Sequence, residues 1–287
     1  MPIDRLDESL AKEAFVECGA SQEKSVGWVP PRGKAHGAFV EVVDGQWLLK
    51  LMIETKAVPA SVLKRKVEEQ CAQIEASTGR KPGKKETRDI KDDAKLALLP
   101  MAFSKQGSVQ VWIDPGTRLV MLDAGSSAKA DEVLTSLVKA IEGLNLSLVQ
   151  TTVSAASAMA EWLRSGEPPA GFAIMRECEL KATDETQAVV RYARHALDID
   201  EVRQHIAAGK LPTKLAMNWD DRVNFVLTDA FQIKKISFDD VVFEGTSDKE
   251  DDGFDTDAAI ATGELRKLIP DLLAGLGGEL ALGASPG

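Results

Sequence analysis

The sequence predicts an α+β fold in which the strands pair antiparallel. One observation is Asp44-Gly45 between two apolar runs, because that dipeptide suits the type I′ turn of a β-hairpin. A second is Asp114-Pro115-Gly116, which also separates two apolar runs and has the composition of a turn. The third is the helical spacing of apolar residues after each hairpin. The order hairpin, helix, hairpin, helix suggests two ββα units that share one antiparallel sheet.

The predicted elements continue through both halves of the chain. The first half has a helix at 6–15, an extended loop at 27–33, strands at 38–43 and 46–54, a helical hairpin, strands at 108–113 and 117–122, and a helix at 128–142. The second half has a helix at 154–164, strands at 171–175 and 188–192, a helix at 199–208, strands at 215–219, 222–227 and 233–238, and a helix at 258–276. Prolines in the 27–33 loop argue against regular strand pairing there.

Three structural parts are expected from this order. They are a central α+β domain at 1–57 and 103–165, a basic helical hairpin at 58–102, and a C-terminal α+β domain at 166–287. The second boundary follows Ser165-Gly166, where Glu167-Pro168-Pro169 interrupts the helical pattern.

Composition favours a globular protein without a metal site or cofactor. The chain has 287 residues, of which 44% are hydrophobic and 28% charged. No apolar run is long enough for a membrane span, and the first residues do not resemble a signal peptide, so we expect a cytoplasmic protein. Three cysteines lie far apart without a CxxC motif, and only three histidines are present. The common nucleophile, zinc-peptidase and P-loop motifs are missing, which argues against an enzyme.

Charge is distributed unevenly along the chain. The net charge is -10, which by itself argues against nucleic acid as a partner. From Lys64 to Lys95, however, ten Lys/Arg face seven Asp/Glu, a local charge of +3. From Glu244 to Asp257, seven acids and one lysine give a local charge of -6 in a segment predicted to be an exposed loop. The basic charge is therefore concentrated in the helical hairpin.

Within the hairpin, four cations share one helix face, which we call the basic stripe. Its members recur at i, i+4, i+7 and i+11: Lys84, Arg88, Lys91 and Lys95. Further candidate DNA-binding cations are Lys64 and Lys66 on the first helix and Arg80 and Lys81 at the turn. One interpretation is a phosphate-binding surface, and the other is a solvated face with i,i+4 ion pairs.

A second basic cluster brackets the helix predicted at 199–208. It contains Arg191, Arg194, Arg203, Lys210 and Lys214. No zinc finger, RNP signature or recognition helix accompanies it. If DNA is bound, contact through phosphates is expected.

Several segments in chain order resemble the bacterial recombination-associated RdgC family. They are Gly27-Trp28-Val29-Pro30-Pro31, Leu98-Leu99-Pro100-Met101-Ala102-Phe103-Ser104, Trp112-Ile113-Asp114, Glu161-Trp162-Leu163-Arg164-Ser165-Gly166, Gly209-Lys210-Leu211-Pro212-Thr213-Lys214-Leu215-Ala216, Thr262-Gly263-Glu264-Leu265 and Gly277-Gly278-Glu279. The resemblance implies a nucleoid-associated protein that binds double-stranded DNA without sequence preference. It also implies a curved subunit that forms a ring-shaped homodimer around DNA, opposes the recombinase filament, and so modulates homologous recombination and replication fork repair.

The resemblance assigns roles to particular residues. Arg80, Lys81 and Lys84 fall at the family's basic fingertip, and Arg191, Arg194 and His195 where it places residues facing the ring's lumen. Phe103 matches a phenylalanine at a contact that closes the ring, although a core position is equally open. Two departures are the missing opening strand before Leu6 and Met101, which stands where an arginine is familiar. The rival interpretations are a protein-interaction scaffold that uses the basic hairpin without DNA, and an unrecognised enzyme.

Overall fold

The protein, seen in a computed structural model that describes residues 2–244 and 253–280, is an α+β protein with antiparallel sheets. The described residues contain seven α-helices and ten strands, so the predicted α+β class with antiparallel strands is confirmed. The chain divides into two compact units, residues 1–146 and residues 147–287. Most of the predicted acidic loop, residues 245–252, lies outside the described residues.

The first unit is built on a five-stranded sheet. Its elements are α1 (Ile3–Lys12), β1 (Lys24–Val29), β2 (Glu41–Val43), β3 (Gln46–Lys56), α2 (Ala60–Thr78), α3 (Lys84–Leu98), β4 (Ser104–Asp114), β5 (Leu119–Leu122) and α4 (Ser127–Ala140). The strand order is β1-β3-β4-β5, and β2 pairs with β3. Asp44 and Gly45 have φ angles of 49° and 76°, as the predicted hairpin turn requires.

The core of this unit lies between one sheet face and helices α1 and α4. Alternate residues of β3 and β4 point into it, as the period of a strand demands. Its fully buried members include Leu6 and Leu10 of α1, Val133 and Leu137 of α4, and Leu49, Leu51, Val109 and Val111 of the sheet. Helices α2 and α3 contribute no residue to this core among the described residues.

The predicted loop at 27–33 is wrong in its first half. Strand β1 pairs antiparallel with β3 along its full length. Pro30 and Pro31 follow the last strand residue and therefore remove no hydrogen bond from the ladder. On its other side, Trp28 donates its N–H to the carbonyl of Glu13 (2.9 Å) and accepts from the N–H of Phe15 (2.8 Å). Helix α1 ends at Lys12, earlier than predicted, and residues 13–15 lie beside β1 instead.

Helices α2 and α3 form the predicted helical hairpin. Gly79 ends α2 with a left-handed φ of 72°, which glycine adopts without a side-chain clash. Glu86, in the first turn of α3, accepts a hydrogen bond from the N–H of Gly83 (3.3 Å) and so caps the helix. No residue of α2 is buried, and Ala94 is the buried residue of α3. The two helices therefore pack mainly on each other through half-buried side chains.

The second unit also has a five-stranded antiparallel sheet. Its elements are α5 (Ala155–Ser165), β6 (Phe172–Ala182), β7 (Val189–Ala193), α6 (Asp200–Ala207), β8 (Lys210–Trp219), β9 (Val223–Thr228), β10 (Ile233–Phe238) and α7 (Phe254–Gly275). The strand order is β10-β9-β8-β6-β7.

The core of the second unit is formed by one sheet face and three helices. Met159 and Leu163 of α5, Val202 of α6, and Leu268 and Leu272 of α7 are among its members. Helix α5 therefore belongs to the second unit by its packing, whereas the sequence prediction placed residues up to 165 in the first domain. Helix α7 begins at Phe254, so the last acids of the predicted loop lie in its first turn, where the helix dipole favours them.

Candidate nucleic-acid interface

Three members of the basic stripe are unpaired. Lys84, Arg88 and Lys91 are exposed on α3, and none has an acidic partner within 4.0 Å among the described residues. Spacings of four and three residues keep them on one helix face. Lys95 is different, because its Nζ lies 2.6 Å from the Glu23 carboxylate just before β1. The stripe thus offers three free cations and one that is already neutralised.

At the hairpin turn, Arg80 is paired. Its guanidinium donates two hydrogen bonds to the Glu86 carboxylate, at 2.8 and 3.4 Å. The hydrogen bond and charge of Glu86 raise the pKa of Arg80, and the Arg80 hydrogen bond lowers the pKa of Glu86. Lys81, the next residue, is exposed and has no ion-pair partner in the described part of the chain. Arg80 therefore closes the turn, and Lys81 is the free cation there.

The cations of α2 have acidic neighbours one turn along the helix. Lys64 lies 3.8 Å from Glu68, and Lys66 lies 4.0 Å from Glu69. Arg65 lies 3.9 Å from Glu69. Such pairs on an exposed helix contribute little to stability but reduce the local positive potential. The interpretation as a solvated, ion-paired face fits α2, whereas the three free cations of α3 fit a surface open to an anionic partner.

In the second unit, two predicted cations meet one carboxylate on the sheet face opposite the core. Arg191 of β7 donates from Nε to Glu179 of β6 (2.6 Å). Lys214 of β8 lies 3.2 Å from both Glu179 oxygens, and Thr213 donates its hydroxyl to the same carboxylate (2.8 Å). We call Arg191, Glu179 and Lys214 the sheet patch. It carries a net charge of +1.

These contacts explain the acidity of Glu179. The hydrogen bond from Arg191, then that from Thr213, and the charge of Lys214 lower the pKa of Glu179 to about 2. Burial acts in the opposite direction and is outweighed. The carboxylate is therefore ionised at neutral pH, and it neutralises part of the positive charge around it.

Strand geometry brings these side chains together. Glu179 is paired in register with Arg191 on one side and Lys214 on the other. Cys178 and Tyr192 point into the core, so their sequence neighbours Glu179 and Arg191 point outward. Glu179 was missed as a functional residue because the predicted strand ended at 175. The alternation of charged and apolar residues from Glu177 to Leu180 is the signal that extends it.

The remaining predicted cations of this unit have varied surroundings. Arg194 is exposed in the turn after β7 with a φ of 56°, and no ion pair to it occurs within the described ranges. His195 is exposed and its Nδ1 lies 2.7 Å from the carbonyl of Ala196. Lys210 contacts Nδ1 of His205 at 3.2 Å, and Arg203 is paired with Asp198 and Asp200.

Phe103 lies at the surface directly before β4. Its exposed fraction is 94%, so the alternative that it is a core residue does not hold for this unit. Met101, two residues earlier, is 73% exposed. Because Phe is enriched in protein–protein interfaces, this exposed ring is a candidate contact with a partner.

The described residues hold no group of three or more His, Cys, Asp or Glu side chains that could bind a metal ion. Among their helices, none combines the length and apolar character that a membrane crossing needs.

Comparison with known proteins gives matches over nearly the whole chain. A family model described as "RdgC: Putative exonuclease, RdgC" matches residues 1–279. The recombination-associated protein RdgC of Dechloromonas aromatica is 41% identical over 284 residues, which is 97% of this chain and 93% of the relative. The protein of the same name from Herminiimonas arsenicoxydans is 41% identical over 281 residues, with the same coverage. That from Cupriavidus pinatubonensis is 42% identical over 279 residues, 96% of this chain and 93% of the relative.

Proposed function

The chain belongs to the RdgC family of recombination-associated proteins, and on this premise we propose that it binds double-stranded DNA through phosphates, without reading sequence. The observation that carries this proposal is the set of three unpaired cations on α3. Lys84 and Lys91 are seven residues apart, a rise of about 10 Å along the helix. Along B-DNA, phosphates of one strand rise about 3.4 Å each. Three cations spaced over this length match about three phosphates.

Assembly and cellular role are part of the proposal. We propose a curved subunit that forms a ring-shaped homodimer around DNA, at the nucleoid in the cytoplasm, and that opposes the recombinase filament in recombination and fork repair. The named relatives are recombination-associated, and the exposed Phe103 is suited to a contact with a second copy. The proposal includes no catalytic residue and no cofactor.

A salt-dependent binding titration tests DNA binding. We expect unrelated duplexes of equal length to bind with equal affinity, because phosphates carry no base information. Log affinity should fall linearly with log salt, by about 0.9 for each phosphate neutralised. Fluorescence anisotropy with three unrelated duplexes and a matched single strand would measure both. Absence of duplex binding at about 50 mM salt would favour the protein-interaction scaffold instead.

Phe103→Ser tests the contact with a second copy. Burying a phenylalanine in a well-packed interface contributes about 2 kcal/mol or more, so the variant should dissociate at concentrations where the wild type is dimeric. Because Phe103 is almost fully exposed in the subunit, the variant's melting temperature as a monomer should change little. Light scattering and thermal melting measure the two effects. Met101→Ser, exposed two residues away, is the matched control.

A further inference from the structure

We propose that Glu179 limits the DNA affinity of the sheet patch by holding Arg191 and Lys214 in a shared ion pair. This inference rests on the proposed function, because it assigns Glu179 a role in the same phosphate binding. Glu179 touches no phosphate in this proposal and acts through the two cations. Glu179 instead sets how strongly this face binds a polyanion.

The geometry places the carboxylate beneath its partners. The exposed fraction of the side chain is 15% for Glu179, but 73% for Arg191 and 44% for Lys214. A phosphate that approaches from solvent therefore meets the two cations first. Arg191 contacts Glu179 through Nε, which leaves its terminal guanidinium nitrogens available to a second anion. Lys214 has three ammonium hydrogens and likewise retains donors.

The carboxylate nevertheless weakens any phosphate bound above it. Two cations and one carboxylate sum to one positive charge, so the patch releases about as many counterions as a single lysine. The carboxylate also repels a phosphate within a few ångströms, a distance at which salt screens little. The basic stripe differs, since Lys84, Arg88 and Lys91 have no such acid among the described residues. The sheet patch is accordingly a weak phosphate site, because its carboxylate offsets one of its two cations.

Glu179→Gln tests the inference with little change of shape. The amide keeps the size of the side chain and its acceptor for Arg191, but it removes the negative charge. We expect duplex affinity to rise about three- to ten-fold near 0.1 M salt, and the slope of log affinity against log salt to steepen by about 0.9. Glu161→Gln is the matched control, because Glu161 is also paired with an arginine, Arg164, on the surface of the same unit. Its effect should be smaller than two-fold.

A variant that lacks both cations of the sheet patch tests whether Glu179 acts through them. In the Arg191→Gln/Lys214→Gln variant, the further change Glu179→Gln should no longer raise the affinity. If Glu179→Gln itself does not fold, as judged by circular dichroism, the triple variant Glu179→Gln/Arg191→Gln/Lys214→Gln, which removes the carboxylate together with both cations, is compared with the wild type instead. A patch with one net charge predicts that the salt slope flattens by about 0.9, whereas two unopposed cations predict about 1.8.

The outcomes separate this inference from the proposed function. Wild type that binds no duplex would overturn both. Wild type that binds, with Glu179→Gln equal to Glu161→Gln or weaker than wild type, would overturn the inference alone. Tighter binding that persists in the double-variant background would also overturn it, because the gain would not depend on Arg191 and Lys214.

Discussion

The basic stripe of α3 and the sheet patch of the second unit differ in how their cations are neutralised. Lys84, Arg88 and Lys91 project from a helix without acidic partners among the described residues, whereas Arg191 and Lys214 share Glu179. The three cations of the stripe therefore offer a polyanion three positive charges, whereas the two cations of the sheet patch offer a net charge of one. Counting basic residues is insufficient, and the acids within about 4 Å decide how many cations are free.

Secondary structure produces this difference. On α3, Asp89 and Asp93 lie on other sides than the stripe, and Asp92, four residues after Arg88, makes no ion pair with it within the described residues. In a sheet, the residues directly opposite on both neighbouring strands lie about 5 Å away. An acid on a central strand such as β6 is therefore within reach of cations on either side.

Removing the three free cations of the stripe should have the largest effect on DNA binding. The triple variant Lys84→Gln/Arg88→Gln/Lys91→Gln should flatten the salt slope by about 2.7. When salt rises four-fold, the affinity of the variant should therefore fall about 40-fold less than that of the wild type. Lys12→Gln/Lys129→Gln/Lys139→Gln has the same change of net charge on α1 and α4 and should flatten it by less than 1. Equal slopes for the two triple variants would mean that only net charge matters and the stripe is an ordinary solvated face.

Acid should affect the stability of the sheet patch. The folded state lowers the pKa of Glu179 from 4.5 to about 2, so its contribution is fully present above about pH 4.5 and is lost as pH falls towards 2. Denaturant titrations should find the wild type more stable than Glu179→Gln by roughly 1 to 3 kcal/mol at pH 7. This difference should shrink below pH 4.5. A difference independent of pH would show that the charge of Glu179 does not stabilise the fold.

The smallest expected effect distinguishes two members of one stripe. Lys91 is unpaired, whereas Lys95 lies 2.6 Å from Glu23. Lys91→Gln should flatten the salt slope by about 0.9, and Lys95→Gln by clearly less, because its charge is already neutralised. Duplex titrations of both variants at five salt concentrations would resolve this. Equal flattening would mean that Lys95 leaves Glu23 when DNA binds.

Local sequence signals predicted much of the fold. Asp44-Gly45 and Gly79 fix turns through backbone angles that few other residues adopt, and the structure has both turns where the sequence places them. The helical spacing of the basic stripe likewise predicted its shared face. These features depend on residues close in sequence, so they can be inferred without the tertiary structure.

Features that depend on distant residues were harder to infer. Strand β1 was missed because its pairing partner β3 lies more than 20 residues away, and the nearby prolines were given too much weight. Met159 of α5 lies in the core of the second unit, which only packing shows. The pairing of Glu179 with Arg191 and Lys214 requires strand register, which periodicity alone does not give.

The backbone of residues 13–15 has a consequence for solubility. By bonding to Trp28 on the side of β1 away from β3, it occupies amide and carbonyl groups that an edge strand would otherwise present to another chain. Gly27 permits this close approach, since a Cβ there would lie 2.4 Å from Cα of Phe15. Even alanine at this position would push the covering segment away. The edge of β1 at Trp28 would then be open to pairing with a strand of another chain.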